Sequence, residues 1–214
     1  MAEFIGTFAL VFTGVGTLAA DRLAGGAYGP IGITLVVGLM TAAMITATKP
    51  VSGGHLNPAV TAGMVAIGKT KPVEAFGHIL AQILGGVVAV AALQSTMPLN
   101  IMADINMGAP IPGKNVGIGR VFLMEVGLTF LVVLVFITTV VDERGPKCGG
   151  LFVGLVVTAG LLCGGPVSGS GMNPACHVGP ALLGGRPELI WLYVSAPMVG
   201  GIIAALIYRY GFAE

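Results

Sequence analysis

The tripeptide Asn-Pro-Ala occurs twice in the chain, in SGGHLNPAVTAG and in SGSGMNPACHVG. Proline is favoured in the first turn of a helix, where its missing N–H costs no hydrogen bond. An asparagine directly before it can cap that helix with its side-chain oxygen and leave its NH2 group free to donate to a solute. The motifs therefore predict two helix starts, each with a side-chain donor. The residues are Asn57, Pro58, Ala59, Asn173, Pro174 and Ala175.

The sequence around the two motifs is repeated as well. Aligning Asn57 with Asn173 pairs Ser52 with Ser168 and Gly53 with Gly169. Farther upstream, AEFIGTF at 2–8 is echoed by MEVGLTF at 124–130, each with a glutamate followed by Thr-Phe. One such tripeptide recurs by chance, but two in matched contexts indicate an internal duplication.

Composition indicates a membrane protein. Hydrophobic residues make up 55% of the 214 residues and charged residues only 9%, and the mean hydropathy is +0.96. A soluble domain carries about 25% charged residues, so this surface must face lipid. The net charge of +1 and the absence of a basic cluster argue against nucleic acid as a partner.

Six apolar stretches are long enough to cross a bilayer as helices, which takes about 20 residues. They are 2–20, 30–48, 73–96, 119–141, 149–164 and 188–210. Two shorter apolar pieces begin at Asn57 and Asn173 and stop near Gly68 and Gly184. About ten helical residues cover roughly 15 Å, half a bilayer, so these pieces predict re-entrant half-helices. The predicted fold is an all-α membrane protein with six spans and two half-helices.

The repeat predicts how the halves are related. We expect one domain over 1–214, with a first repeat at about 1–98 and a second at about 119–214. An odd number of spans per repeat inverts the second copy, which brings broken helices together at the membrane midplane. The positive ends of both half-helices would then face a polar pore that repels cations and binds neutral solutes. The predicted loop backbone of this pore comprises Gly53, Gly54, His55, Gly169, Gly171 and Met172.

Loop charges predict the orientation. With the N-terminus inside, six Lys and Arg residues lie on the inner side and four on the outer side. This bias favours cytoplasmic N- and C-termini in a multi-pass protein of the cell membrane.

Taken with Ala81-Gln82 in the third span, the paired motifs and the glutamates at positions 3 and 125 resemble the aquaporin family over essentially the whole chain. The resemblance implies a passive channel for water or small neutral solutes, assembled as a homotetramer in the lipid bilayer with one pore per subunit. It implies no cofactor, no metal and no enzymatic activity. Glycerol facilitators carry Asp two residues after the second motif, and His177 at that position favours the water-channel branch of microbial type.

The resemblance also exposes a departure. The family almost always has arginine after the second motif, as the cation of a selectivity filter, and this chain has Cys176. Counting from the two asparagines suggests Val37, Leu161 and Ser170 as the other filter positions. These four residues predict a wider, uncharged constriction that passes water and other small neutral solutes or gases. The alternative is a solute facilitator, for glycerol or urea, with little selectivity for water.

The remaining polar residues leave alternatives open. Glu3 and Glu125 could relay protons or accept hydrogen bonds from the pore loops, and the resemblance implies the second role, with Gln82 bonded to loop backbone. His55 could line the pore or brace its loop. His177 could turn into the lumen and replace the missing arginine as a donor. Adjacent helical residues point about 100° apart, however, so His177 turns away if Cys176 faces the pore. Tyr193 is expected in an aromatic belt at the membrane interface, and Cys163 in the protein interior.

Two other classes of function are weaker. A secondary transporter also uses inverted repeats and broken helices, but it needs an ionisable group beside its substrate. An enzyme would need a catalytic constellation, and the sequence has no H-E-x-x-H or G-x-S-x-G motif.

Overall fold

A computed structural model describes residues 1–184 and 186–212, and every regular element within those ranges is helical. Short 3-10 turns lie at Asn106–Gly108 and Pro187–Leu189, and a π-helical turn lies at Ile137–Val141. The α-helices are α1 Ala2–Leu23, α2 Gly29–Ser52, α3 Pro58–Ala66, α4 Pro72–Thr96, α5 Leu99–Asp104, α6 Ile118–Phe136, α7 Gly149–Ser168, α8 Pro174–Leu182 and α9 Ile190–Gly211.

The six predicted spans are confirmed, with slightly wider bounds. Helices α1, α2, α4, α7 and α9, together with α6 and its π-helical extension to Val141, are long and apolar enough to cross a membrane. The fifth span reaches Ser168 rather than residue 164, because Pro166 is accommodated in its last turn. Proline there is tolerated where the freed backbone groups find other partners.

The two half-helices are confirmed as well. Helices α3 and α8 have nine residues each, which is about 14 Å of helix and half a bilayer. Helix α8 begins and ends 116 residues after α3, so the repeat read from the motifs extends to the helix bounds.

Glycines allow the helices to pack closely, as small residues do in membrane bundles. A Cβ atom at Gly86 of α4 would lie 2.6 Å from the carbonyl oxygen of Ala175, and one at Gly201 of α9 would lie 2.6 Å from that of Ala59. Each half-helix is therefore seated against a span by a glycine, at the alanine of its own motif. By contrast, Gly127 faces open space.

Contacts between the helices establish which ends share a face of the bundle. Helices α2 and α7 run antiparallel, because the hydroxyl of Thr158 lies 3.3 Å from the carbonyl of Thr34, and a Cβ atom at Gly150 would lie 2.9 Å from the carbonyl of Ala42. We call the face at which α1 begins and α9 ends the termini side. The opposite face, with residues 24–28, 97–117 and the 3-10 turn at 187–189, is the far side.

On the termini side, the connection between α6 and α7 is tied to the end of α9. Asp142 accepts a hydrogen bond from Tyr208 Oη at 2.8 Å and pairs with Arg144 at 2.7 Å. Arg144 also donates to the carbonyl of Phe212 at 2.7 Å. These bonds tie the loop between α6 and α7 to the end of α9.

Candidate pore at the meeting point of the two half-helices

The two motif asparagines cap the half-helices, as predicted. Asn57 has an extended backbone (φ −153°, ψ 121°), and its side-chain oxygen accepts from the Ala59 amide at 2.8 Å. Asn173 does the same (φ −147°, ψ 107°), accepting from the Ala175 amide at 3.0 Å. The prolines occupy the first helical positions. Both positive helix ends therefore face the centre of the bundle, where they disfavour cations.

The expectation that both NH2 groups are free is wrong in part. Asn57 Nδ2 donates to the carbonyl of Met172 at 2.9 Å, and Asn173 Nδ2 donates to the carbonyl of Leu56 at 2.9 Å. These carbonyls are buried and need donors. One hydrogen of each amide therefore links the two loops, and the other remains for a solute in the lumen.

The loops that lead to the asparagines adopt a left-handed backbone at non-glycine residues. Leu56 has φ 51°, Met172 has φ 46° and Ser170 has φ 54°. Such conformations cost of order 1–3 kcal/mol each and persist only where the surroundings over-determine them. They turn the carbonyls of residues 56 and 172 toward the opposite asparagine, which is how each loop reaches its partner.

Two buried glutamates hold these loops in place. Glu3 accepts from the amides of His55 at 3.0 Å and Leu56 at 2.7 Å. Glu125 accepts from the amides of Gly171 at 2.9 Å and Met172 at 2.8 Å. Ser52 and Ser168, paired by the repeat, each donate to the nearer glutamate at 2.6 Å. A hydrogen bond contributes about 0.5–1.5 kcal/mol, and the several bonds to each loop together offset the strain. The geometry favours the structural role over a proton relay.

Gln82 supports the first loop indirectly, through Glu3, and does not bind the loop backbone as expected. Its Nε2 donates to Glu3 at 2.7 Å and to Thr61 Oγ1 at 3.1 Å, rather than to loop backbone. Gln82 thus orients the carboxylate that binds the loop, and also a hydroxyl of α3.

One continuous cavity of about 670 Å³ runs from the far side to beyond the asparagines. All four filter positions proposed from the sequence line it: Val37, Leu161, Ser170 and Cys176. The Ser170 hydroxyl donates to the carbonyl of Gly160 at 3.0 Å. None of these four side chains carries a charge: two are aliphatic, one bears a hydroxyl and one a thiol.

The segment before α6 lies at the far mouth of the cavity. Asp104, Ala109 and Ile111 of this region contribute to the lining. The charged side chains among the lining residues, Asp21, Arg22 and Asp104, all belong to this mouth, and Arg22 lies 4.0 Å from Asp104. Below the mouth, the lining is uncharged.

The residues predicted to form the pore-loop backbone have two different roles. His55, Gly169, Gly171 and Met172 line the cavity. Gly53 and Gly54 instead end α2: both have positive φ (86° and 67°), and a Cβ atom at Gly54 would lie 3.0 Å from the carbonyl of Ile45. They permit the chain to turn back sharply against its own helix, which any side chain would obstruct.

The histidines have distinct surroundings. His55 both lines the cavity and braces its loop, through a 3.1 Å contact between Nδ1 and Thr61 Oγ1. The His78 ring meets the His55 ring edge to face, with centroids 5.1 Å apart. His177 is fully buried and stacks on Tyr193 with centroids 4.3 Å apart, while Cys176 faces the cavity.

Two expectations outside the pore are wrong. Tyr193 is not interfacial: it is fully buried, and its hydroxyl donates to the carbonyl of Ser168, where it supports the second loop. Cys163 is exposed on the outer surface of the bundle rather than packed inside.

Phe136, which no sequence motif marks, is fully buried and packs beside the cavity.

Comparison with known proteins gives a consistent result. The family model described as major intrinsic protein matches residues 1–208. Aquaporin TIP4-4 of Zea mays is 41% identical over 97% of this chain and 84% of its own. Glycerol uptake facilitator protein-like 6 of Lactiplantibacillus plantarum is 34% identical over 98% of this chain and 95% of its own. The X-ray structure of the aquaglyceroporin from Plasmodium falciparum, 24% identical, superposes with a TM-score of 0.88 over 99% of this chain and 95% of that chain.

Proposed function

Because the chain belongs to the major intrinsic protein family, it is a passive membrane channel and not an enzyme, and we propose that its pore is the cavity between the two half-helices. The observation that carries the proposal is the continuous lining from the far mouth past Asn57 and Asn173. Each asparagine keeps one N–H for a permeating solute, while the two helix ends disfavour cations. We propose that water and small neutral solutes permeate and ions do not.

The width of the pore follows from its filter. An arginine after the second motif would add a fixed charge and five donors, whereas Cys176 adds a small thiol beside Val37 and Leu161. This filter favours passage of uncharged solutes larger than water. A relative named glycerol uptake facilitator protein-like 6 supports the alternative, a facilitator with little preference for water.

Stopped-flow light scattering of proteoliposomes separates these functions. Wild-type vesicles should shrink faster than empty ones in an impermeant osmolyte and should re-swell with glycerol or urea. Cys176→Arg should slow glycerol and urea flux by about tenfold, equivalent to about 1.4 kcal/mol of barrier, and reduce water flux less. Cys148→Arg, at an exposed site outside the cavity, is the matched control.

Either of two results would count against the proposal. Wild-type water and solute fluxes equal to those of empty vesicles would mean that the cavity does not conduct. Unchanged glycerol and urea flux in Cys176→Arg would mean that this position does not set the width. A glycerol rate close to the water rate in wild type would favour the facilitator over the water channel.

We also propose a single channel domain over the whole chain, with both termini in the cytoplasm and the protein in the cell membrane. The loop charges support this orientation. Cys148, exposed beside the loop that joins α6 and α7 on the termini side, is a reporter for it. A membrane-impermeant maleimide should label Cys148 only after the cells are permeabilised, and labelling of intact cells would reverse the orientation.

A homotetramer with one pore per subunit completes the proposal. The spans present large apolar side chains outward, among them Leu39, Leu123 and Leu155, and such surfaces are covered by lipid or by neighbouring subunits. Native mass spectrometry of the detergent-extracted protein should show a mass of four chains. A monomer retained in several mild detergents would contradict the tetramer.

A further inference from the structure

The two half-helices differ in how one pair of equivalent side chains is held. Thr61 of α3 corresponds to His177 of α8, 116 residues later. The Thr61 hydroxyl donates to the carbonyl of Asn57 and accepts from Gln82 Nε2, each at 3.1 Å. His177 is fully buried, and neither of its ring nitrogens has a hydrogen-bond partner in the part of the chain that the structure describes. The second half-helix therefore lacks the side-chain hydrogen bonds that hold this position in the first.

The spans that seat the half-helices differ at a corresponding position. Gly86 of α4 and Gly201 of α9, each packed against a half-helix, are 115 residues apart. At that offset, Gln82 of α4 corresponds to Pro197 of α9. Proline has neither a backbone N–H nor a polar side chain. At this position α9 therefore offers His177 no counterpart of the Gln82 amide.

The second half has an aromatic stack instead of those hydrogen bonds. The rings of His177 and Tyr193 lie with centroids 4.3 Å apart and an interplanar angle of 24°. The residue of α4 that corresponds to Tyr193 is His78, whose ring meets that of His55 edge to face at 5.1 Å. His55 in turn corresponds to Gly171. The partner ring is carried by the pore loop in the first half and by the half-helix in the second.

The lack of a side chain at Gly171 allows Tyr193 to lie directly on the second loop. A Cβ atom at this glycine would be 2.8 Å from Tyr193 Cδ1, so a larger residue would displace the ring. Tyr193 also donates from its hydroxyl to the carbonyl of Ser168. The ring and the hydroxyl therefore hold both ends of the stretch 168–171, which contains the filter residue Ser170.

His177 fixes the orientation of this tyrosine. Stacked aromatic pairs attract each other beyond the effect of their buried area. The Tyr193 ring, packed between His177 and the loop at Gly171, cannot swing its hydroxyl away from Ser168 without leaving the stack. A buried polar atom without a partner destabilises the folded state. What His177 contributes is therefore the flat face of its ring and not its nitrogens.

We propose that His177 and Tyr193 are positioning residues of the filter, in which the stack holds the Tyr193 hydroxyl on the Ser168 carbonyl and so fixes Ser170 and the size limit for solutes. The inference rests on the proposed channel function. Because His177 directly follows Cys176 on α8, the stack also fixes the rotation of the half-helix that presents the thiol to the cavity.

Substitutions of His177 separate the ring face from the nitrogens. In proteoliposomes, His177→Thr, which introduces the residue of the first half, should raise the ratio of erythritol to water flux several-fold because the stack is lost. His177→Phe keeps the stack and removes the unpartnered nitrogens. It should therefore keep the wild-type ratio and raise the unfolding temperature by a few degrees. A wild-type ratio in His177→Thr, or a raised ratio in His177→Phe, would overturn the proposed role.

A double-mutant cycle tests whether His177 acts through Tyr193. Tyr193→Phe keeps the ring and removes the bond to Ser168, so it should also raise the erythritol ratio. Because the two residues act in one chain of contacts, the double variant should match the more affected single variant. Effects that multiply would mean independent action and would contradict the proposal. Tyr210→Phe, the same change at an exposed position of α9, is the matched control and should leave the ratio unchanged.

Hydrogen exchange measures the position of the loop without transport. The amides of residues 169–172 should exchange faster in His177→Thr and in Tyr193→Phe than in wild type, and His177→Phe should exchange like wild type. Unchanged exchange in both of the first two variants would refute the positioning role. Thermal unfolding in detergent establishes that each variant is folded, and Tyr193→Phe carries the test if His177→Thr does not fold.

The outcomes separate this inference from the function beneath it. If Cys176→Arg changes solute flux while His177→Thr and Tyr193→Phe leave the erythritol ratio unchanged, the inference is refuted and the channel stands. If wild type conducts nothing, the proposed function fails, and faster exchange in the two variants still supports the positioning of the loop by the stack.

Discussion

The side-chain amide of Asn173 donates to the carbonyl of Leu56 over 2.9 Å, although 117 residues separate them in the sequence. Asn57 makes the equivalent bond to Met172. Each asparagine thus caps its own half-helix through its oxygen and holds the opposite loop through its nitrogen. The centre of the pore therefore depends on two asparagine side chains, each of which is both a helix cap and a bond between the loops.

Replacement of Asn173 by alanine should therefore destabilise the protein measurably. Loss of the cap and of one buried hydrogen bond together cost about 2 kcal/mol. Thermal unfolding in detergent, followed by the fluorescence of Trp191, the one tryptophan of the chain, measures the effect. Asn100→Ala, at an exposed position of α5, should leave the unfolding temperature unchanged, and an equal shift in both variants would contradict this account.

The glycine beneath the first half-helix gives a steric prediction. In Gly201→Ala, the new Cβ atom would meet the carbonyl oxygen of Ala59 at 2.6 Å. The half-helix must move, and overpacking of this kind costs about 1–3 kcal/mol. Water flux per folded channel should fall as well. Gly127→Ala, where nothing lies within 4 Å, should be neutral or slightly stabilising because alanine favours the helix.

Mercuric ion should block the channel through one thiol. Cys176 lines the cavity, whereas Cys148 and Cys163 are exposed elsewhere. A thiolate is a soft ligand, and a metal ion bound to it would obstruct the filter. We expect Cys176→Ser to abolish the inhibition of water flux and the serine variants of the other two cysteines to retain it. Inhibition that survives Cys176→Ser would place the sensitive thiol outside the pore.

The loop between α6 and α7 gives a pH prediction. Hydrogen bonds from Arg144 hold the pKa of the Asp142 carboxyl below its usual range. Because the pKa of Asp142 is depressed in the folded state, its pair with Arg144 stabilises the protein fully at pH values above the unfolded-state pKa, about 3.9. This stabilisation is lost as the pH falls through the lower folded-state pKa. Hydrogen exchange near the end of α9 should be faster in Asp142→Asn than in wild type at pH 7. Glu143→Gln, beside it and exposed, should exchange like wild type at every pH.

Local rules were enough to predict much of the pore. An asparagine and a proline at the start of a short apolar piece specify a capped half-helix, and the duplication specifies that there are two. The four positions counted from the asparagines also line the cavity.

The surroundings of three other residues could not be predicted from hydrophobicity or from motifs. Cys163 lies in a span that is apolar on every face, so hydrophobicity cannot distinguish protein interior from lipid. Phe136 stands in the run FLVVLVF, where nothing marks one residue as packing beside the cavity. Tyr193 is buried because its hydroxyl finds the carbonyl of Ser168, a partner in another helix. Such contacts exist only in three dimensions.

The crossed bonds of the two asparagines have a consequence for biosynthesis. The bond that Leu56 accepts from the second half becomes available only after the ribosome has added residue 173, when about four-fifths of the 214-residue chain is already made. The first repeat therefore enters the membrane before its own loop has its final partner. Assembly of the pore centre is a late, post-insertion event, and mutations in either half should delay the maturation of both.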